Sequence, residues 1–365
     1  MSSWLSKSPS RYWLLIIVVG ILFVGLPTQI TSFQSFEWAE VLIYAIAIMG
    51  LNLLVGYSGQ ISLGHGALMA VGAYTTAILV HRYHLNYLAT IPIAGLLTGL
   101  VGFFLGIPAL RLSPLYLALA TFALAVITPS LIKRPEGLTQ GTAGILLLPP
   151  DPPDWASALF GTVTGSPGMT SEQWLYYLCL GLAAVLFWVA WNIVRRRPGR
   201  ALMAIRDGET AAAAFGVNVP GYKTVAFGLS AFYAGIAGSL YGIATGFVSP
   251  DTFPLLLSLQ LLVGAVIGGL GSIVGPLFGG MFTFWLPLIS SQYVSSQDWI
   301  PDSISSVFRN AGPSVTYGAL LILIMIFAPN GVVGLILSAY ARLRARLRGA
   351  GERTTGQIPP DAQTV

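Results

Sequence analysis

Residues 51–66 read LNLLVGYSGQISLGHG and place Asn52, Tyr57, Gln60, Ser62 and His65 among residues that are otherwise apolar, serine or glycine. Amide, hydroxyl and imidazole groups in such a setting can hydrogen-bond the ammonium or carboxylate of a small solute without adding a fixed charge. His65, flanked by Gly64 and Gly66, could serve as a gate or a solute contact. The plainer alternative is a histidine satisfied by the carbonyl of a neighbouring helix. Gln260, near Ser258 in a later apolar segment, could line the same path. A metal site would need more donors than His65 supplies, because His81 and His84 fall at the far end of the same segment. The single cysteine, Cys179, excludes an internal disulfide framework.

A second constellation lies in RRRPGRALMAIRDGETAAAAFGVNVPGYK at 195–223. Pro198 opens a run of helix formers that Gly208 interrupts, and Asp207 and Glu209 sit where a second short helix would start. Acidic residues there suit the positive end of a helix dipole. Ala211 and Ala212 follow, and Gly216, Asn218 and Pro220 end the helix. Connectors between packed helices need about 2–8 residues, and this one is far longer, so it reads as a docking element for another protein. The alternative is a connector anchored by its arginines. The three lysines (Lys7, Lys133 and Lys223) all lie outside any G-x-x-x-x-G-K-[ST] loop, so the chain itself carries no phosphate cradle of that kind. Paired carboxylates, metal clusters and base-activated nucleophiles are missing from the apolar segments, which argues against an enzyme.

The elements that must position these groups are membrane helices. Hydrophobic residues make up 55% of the chain, charged residues 8%, and the mean hydropathy is +0.76. Soluble domains average about 25% charged residues. A bilayer core of about 30 Å asks for about 20 apolar residues per helix. Ten segments fit: about 13–30, 40–56, 61–80, 88–108, 114–132, 173–194, 223–246, 255–269, 273–291 and 314–337. Lys7 and Arg11 precede the first, which lacks a small-residue cleavage site and reads as an uncleaved span. A break is expected in the third near Gly64 to Gly66, and the eighth and ninth, short and rich in glycine, read as tilted, broken or re-entrant. All 31 charged residues, 18 basic and 13 acidic, are expected outside these runs. An ionisable group at the bilayer centre costs about 2.5 kcal/mol or more and marks relays or counter-ions. Work to drive a solute must then come from elsewhere.

Ten spans put fourteen basic residues on one side, including Arg111, the cluster Arg195, Arg196, Arg197, Arg200, Arg206 and Lys223, and the arginines of the tail. Four (Arg82, Lys133, Arg134 and Arg309) fall on the other. The positive-inside rule then places both termini and the 195–223 loop in the cytoplasm. The pI near 9.3 is a topology signal and does not imply nucleic-acid binding. On the outer side, loop 133–172 carries Trp155 and Phe160 among prolines and glycines and is expected to fold into a cap. The tail at 341–365 starts with alternating arginines suited to an anionic leaflet, then becomes Gly-, Thr- and Pro-rich and is expected to be disordered. The glycine rows Gly264, Gly268, Gly275, Gly279 and Gly238, Gly242, Gly246 suit close helix packing in lipid.

Four stretches resemble the permease subunits of ATP-binding cassette importers for branched-chain, hydrophobic amino acids, in the larger paralogue. They are LNLLVGYSGQISLGHGALMAVGAYTTAIL (51–79), TQGTAGI (139–145), GRALMAIRDGETAAAAFGVNV (199–219) and VGAVIGGLGSIVGPLFGG (263–280). The resemblance covers about residues 37–340, the expected permease domain, between a 1–36 segment with the first span and the 341–365 tail. It implies an all-α integral membrane fold with about ten helices and a coupling helix on which Glu209, Ala211, Ala212 and Gly216 match the Glu-x-Ala-Ala-x-x-x-Gly pattern, beside Arg206 and Asp207. It further implies a sister permease forming a pseudo-symmetric heterodimer, two ATP-binding subunits that hold ATP and magnesium, an extracytoplasmic solute-binding protein, and a bacterial inner membrane. This chain would then need no cofactor. The expected solute is a neutral or branched-chain amino acid. The rival solute is urea or a short-chain amide, since urea permeases look similar over the same stretches. An ATP-independent secondary transporter or channel is the rival mechanism.

Overall fold

A computed structural model of the protein describes residues 30–109, 114–148, 150–164 and 168–295, with residues 318, 322 and 331–335. The expected first and tenth spans (apart from positions 30, 318, 322 and 331–335), Arg111, Arg309 and the 341–365 tail lie outside the described residues. The described chain is a helical bundle whose only paired strands are two short ones. Helix α1 (Ser32–Asn52) runs into one π-helical turn (Leu53–Tyr57). Residues 59–64 form no helix, and α2 (His65–Tyr83) begins at the expected break. Helices α3 (Tyr87–Ala109) and α4 (Pro114–Lys133) follow. The cap contains α5 (Glu136–Thr139), β1 (Ile145–Leu146) and α6 (Asp154–Thr164). Helix α7 (Ser171–Arg195) returns through the bundle to the short helices α8 (Arg197–Asp207) and α9 (Glu209–Ala214). Helix α10 (Val219–Thr245) leads to β2 (Phe247–Val248), a 3-10 turn (Pro250–Thr252), α11 (Leu255–Gly268) and α12 (Gly275–Ser295).

Six stretches among the described residues are long and apolar enough to cross a membrane: Ser32–Tyr57, Tyr87–Pro108, Leu115–Lys133, Ser171–Arg195, Val219–Thr245 and Pro250–Gly268. Helix α10, 27 residues or about 40 Å long, is the central post against which α1, α2 and α3 pack. Close backbone approach makes this possible. A Cβ at Gly238 of α10 would run into the carbonyl of Met69 on α2, and one at Gly268 of α11 into that of Gly275 on α12. Small residues at crossings are the expected device in lipid, where apolar side chains gain nothing from leaving the solvent. Gly246, by contrast, caps α10 with a left-handed φ of 67°. The outward faces of α3, α4 and α7 stay apolar and exposed through Leu96, Leu100, Phe104, Leu119, Val126 and Trp188.

The second span begins at Ser32, eight residues before the expected position. Thr31 and Gln34 form a reciprocal capping box, with Thr31 Oγ1 accepting from Gln34 N at 3.3 Å and Gln34 Oε1 from Thr31 N at 3.1 Å. The helix therefore takes in Glu37 and Glu40. This corrects the expectation that every charged residue lies outside the spans: Glu40 is 3% exposed, and its Oε1 meets no hydrogen-bond partner among the described residues.

The cap is ordered by a small set of directional contacts. Strand β1 pairs antiparallel with β2, Ile145 opposite Val248 and Leu146 opposite Phe247. Lys133 Nζ meets Asp251 Oδ1 at 2.8 Å, and Trp174 Nε1 donates to Tyr87 Oη at 2.7 Å. Trp155 stands edge-on to Trp174, ring centres 5.7 Å apart. Trp174 is buried under this cover, whereas Tyr83 and Trp155 remain exposed.

Candidate functional site

The irregular stretch 59–64 breaks the bundle and sets its polar groups. The π turn ahead of it closes each ring with one extra residue, a geometry that recurs at functional positions. Gln60 and Ser62 are both buried. Gln60 Nε2 donates to Ser58 Oγ at 2.8 Å and Lys223 O at 3.4 Å, while Ser62 Oγ accepts from Gly64 N at 3.4 Å. Thr121 Oγ1 of α4 accepts from Leu63 N at 2.9 Å, and Ser258 Oγ of α11 accepts from Gly66 N at 2.9 Å. Four segments thus converge on the start of α2.

His65 is fully buried there. Ser230 Oγ on α10 donates its one proton to Gly50 O at 2.7 Å, so across the 3.3 Å gap to His65 Nε2 the serine oxygen accepts. The proton then sits on Nε2, and Nδ1 is left a bare acceptor with no partner among the described residues. The partner is a hydroxyl, where the plainer alternative foresaw a carbonyl. A buried imidazole acceptor beside a broken helix is chemically suited to an N–H of a solute. Gln260, half-buried on α11, is not joined to this group by a hydrogen bond.

Asn52 occupies a different place from the path residues it was grouped with. Its Oδ1 accepts from Gly271 N at 2.8 Å and its Nδ2 donates to Ser272 O at 2.7 Å. It clamps the α11–α12 turn to the end of α1. Beside it, Arg206 Nη1 donates to Gly56 O within the π turn at 2.8 Å. The same guanidinium meets Asp207 Oδ1 at 3.1 Å through Nε. The loop that bears α9 is therefore bonded straight into the broken segment of the bundle.

Helix α9 divides its residues between two faces. Ala212 is buried against the chain, whereas Ala211, Ala213, Ala214 and Phe215 are exposed, Phe215 at 89%. Glu209 pairs with Lys223 of α10, so its carboxylate ties α9 to the bundle. Gly216 ends the helix at φ +79°, a left-handed conformation that other L-residues resist. Ser230, Thr121 and Lys223 were not singled out for these roles. Ser230 and Thr121 carry no motif, and Lys223 registered only as a topology charge. Among the described residues no cluster of three His, Cys, Asp or Glu could hold a metal.

A broken helical bundle with a helical loop bonded into its break is the build of a membrane permease. Comparison with known proteins gives the family: residues 38–329 match the family described as "Branched-chain amino acid transport system / permease component", and the chain belongs to it. The chain is 31% identical to the "High-affinity branched-chain amino acid transport system permease protein LivM" of Escherichia coli (strain K12), over 88% of this chain and 74% of that protein. It is 24% identical to the corresponding LivH of Salmonella typhimurium, over 80% and 91%. A "Probable branched-chain amino acid transport permease protein LivM" of Methanocaldococcus jannaschii is 22% identical over 80% and 90%. No solved structure matches. The chain is thus a multi-pass membrane transporter subunit of an import system that has other components.

Proposed function

We propose that this chain is the membrane-spanning permease subunit of an ATP-driven importer that carries branched-chain and other neutral amino acids into the cytoplasm of a bacterial cell. Similarity to both LivM and LivH supports the solute class, and the family's printed description names the same class. The charge-poor spans agree, because a zwitterion can be met by helix ends, amides and hydroxyls. ATP and magnesium belong to two separate ATPase subunits, a sister permease completes the pore, and a solute-binding protein delivers cargo at the 133–172 cap.

The observation that carries the mechanism is the bridge from Arg206 to the Gly56 carbonyl. An ATPase seated on the exposed face of α9 moves α8 and α9 together. Arg206 passes that movement to the π turn, and Asn52 passes it on to the α11–α12 turn. The π turn and residues 59–64 lead directly into His65, so the broken segment re-forms around the solute as the cycle proceeds. Proteoliposomes holding the assembled importer and its binding protein test this. ATP-dependent uptake of labelled leucine is expected; labelled urea taken up with leucine excluded would give the solute to the rival class. Uptake without ATP, lost with the proton gradient, would sink the coupling.

A further inference from the structure

The cluster Arg195, Arg196, Arg197 and Arg200 is left over from the coupling mechanism. None of the four pairs with a carboxylate among the described residues. Arg195 lies over the Trp191 ring at 4.0 Å, and Arg200 Nη1 donates to Arg195 O at 3.4 Å. Together with Pro198 the four line an open basin of about 500 Å³. Pro198 is shared with a second hollow of about 280 Å³, whose walls include Ile193 of α7, Leu202 of α8 and Tyr222, Val225 and Leu229 of α10. Those walls are almost wholly apolar. Tyr222 to Leu229 spans about 10 Å of helix, so the hollow runs from the basic rim into the depth of a membrane-crossing helix. Helix α8 starts at the same rim with no side chain capping its first amides, which adds to the positive potential there.

We propose that this groove binds an anionic phospholipid of the cytoplasmic leaflet, its phosphate on the arginine basin and one acyl chain along α10. Charge complementarity identifies the occupant: a basic basin that adjoins an apolar slot at Pro198 matches a headgroup joined to a chain, and basic pockets at this level are suited to anionic lipids. A free anion would leave the slot unused. A zwitterionic lipid would leave the arginines without a net partner. The groove walls are the three helices that meet at the root of the coupling loop, so the lipid braces α8, the helix that carries Arg206.

The full chain, purified with its partner subunits, is placed in nanodiscs of phosphatidylcholine with or without phosphatidylglycerol, and retained lipid is read by native mass spectrometry. Wild type is expected to keep phosphatidylglycerol in preference to phosphatidylcholine. Substituting Arg196→Gln, Arg197→Gln and Arg200→Gln is expected to weaken phosphatidylglycerol retention by about fivefold for each arginine removed, with phosphatidylcholine unchanged. Val225→Trp fills the slot at an exposed position, so the fold is kept and both lipids are expected to be displaced. Equal retention of the two lipids by wild type overturns the proposal. So does retention untouched by both sets of variants, or displacement of the lipid by inorganic phosphate alone. Arginine variants that keep the lipid but lose the ATPase subunits would assign the cluster to protein docking and overturn it as well.

Discussion

At the scale of single residues, one buried carboxyl and one buried imidazole each leave an atom without a partner among the described residues. Glu40 Oε1 and His65 Nδ1 both lie inside the bundle. An unsatisfied buried group costs about 1–3 kcal/mol, so a group that serves only packing can be replaced by a shape-matched apolar one with a gain in stability. Glu40→Leu is therefore expected to raise the Tm of the solubilised complex by a few degrees in a fluorescence melt; a lowered Tm would mean that the carboxyl is bonded in the assembled importer. His65→Leu is expected to leave the melt unchanged or higher while lowering leucine uptake about tenfold or more, the weight of one hydrogen bond to a charged solute group. Unaltered uptake would return His65 to packing. The types and setting of these residues were readable in different degrees. SLGHG announced a polar break in an apolar run. Glu40 passed unnoticed because hydropathy puts the edge of the span near it, whereas the edge is set by a capping box nine residues earlier, between Thr31 and Gln34.

At the scale of elements, the six-residue helix on the loop is joined to the bundle by two ties, Glu209 to Lys223 and Arg206 to Gly56, and the proposed coupling runs through them. A bond to a charged donor contributes about 1.5–3 kcal/mol, so Arg206→Gln is expected to lower leucine-stimulated ATP hydrolysis about ten- to a hundredfold, with ATPase subunits still bound on copurification. Loss of the subunits instead would place Arg206 on the docking face. Glu209→Lys sets two ammonium groups against each other and is expected to abolish stimulation while the binding protein still captures solute. The swap Glu209→Lys with Lys223→Glu separates tether from docking: recovery of stimulation marks a tether, and continued failure marks a contact to the ATPase. Gly216→Pro removes a left-handed cap that proline cannot adopt and is expected to act like Glu209→Lys. The helix pattern of this loop was legible, since Pro198, Gly208 and Gly216 punctuate it. The inward turn of Ala212 and the long-range bonds of Asn52 and Arg206 were not. They join positions about 150 to 220 apart in the chain, and no local periodicity encodes such a contact.

At the scale of the whole molecule, α3, α4 and α7 keep apolar outward faces, while α1 and α10 sit in the interior. A single copy thus has a packed core among the described residues. The polar groups around His65 are enclosed, so a pathway for a solute has to form by movement of the bundle or at a junction with a second permease. Either way, transport belongs to an assembly, and the proposed coupling drives it through the loop. Expressed with its neighbours and solubilised gently, the chain is expected to copurify with an ATPase and a homologous permease. In vesicles, leucine uptake is expected to stop when the ATPase is left out. A chain that moves leucine by itself down a gradient would make the loop dispensable, and the Arg206 bridge would then be a packing contact.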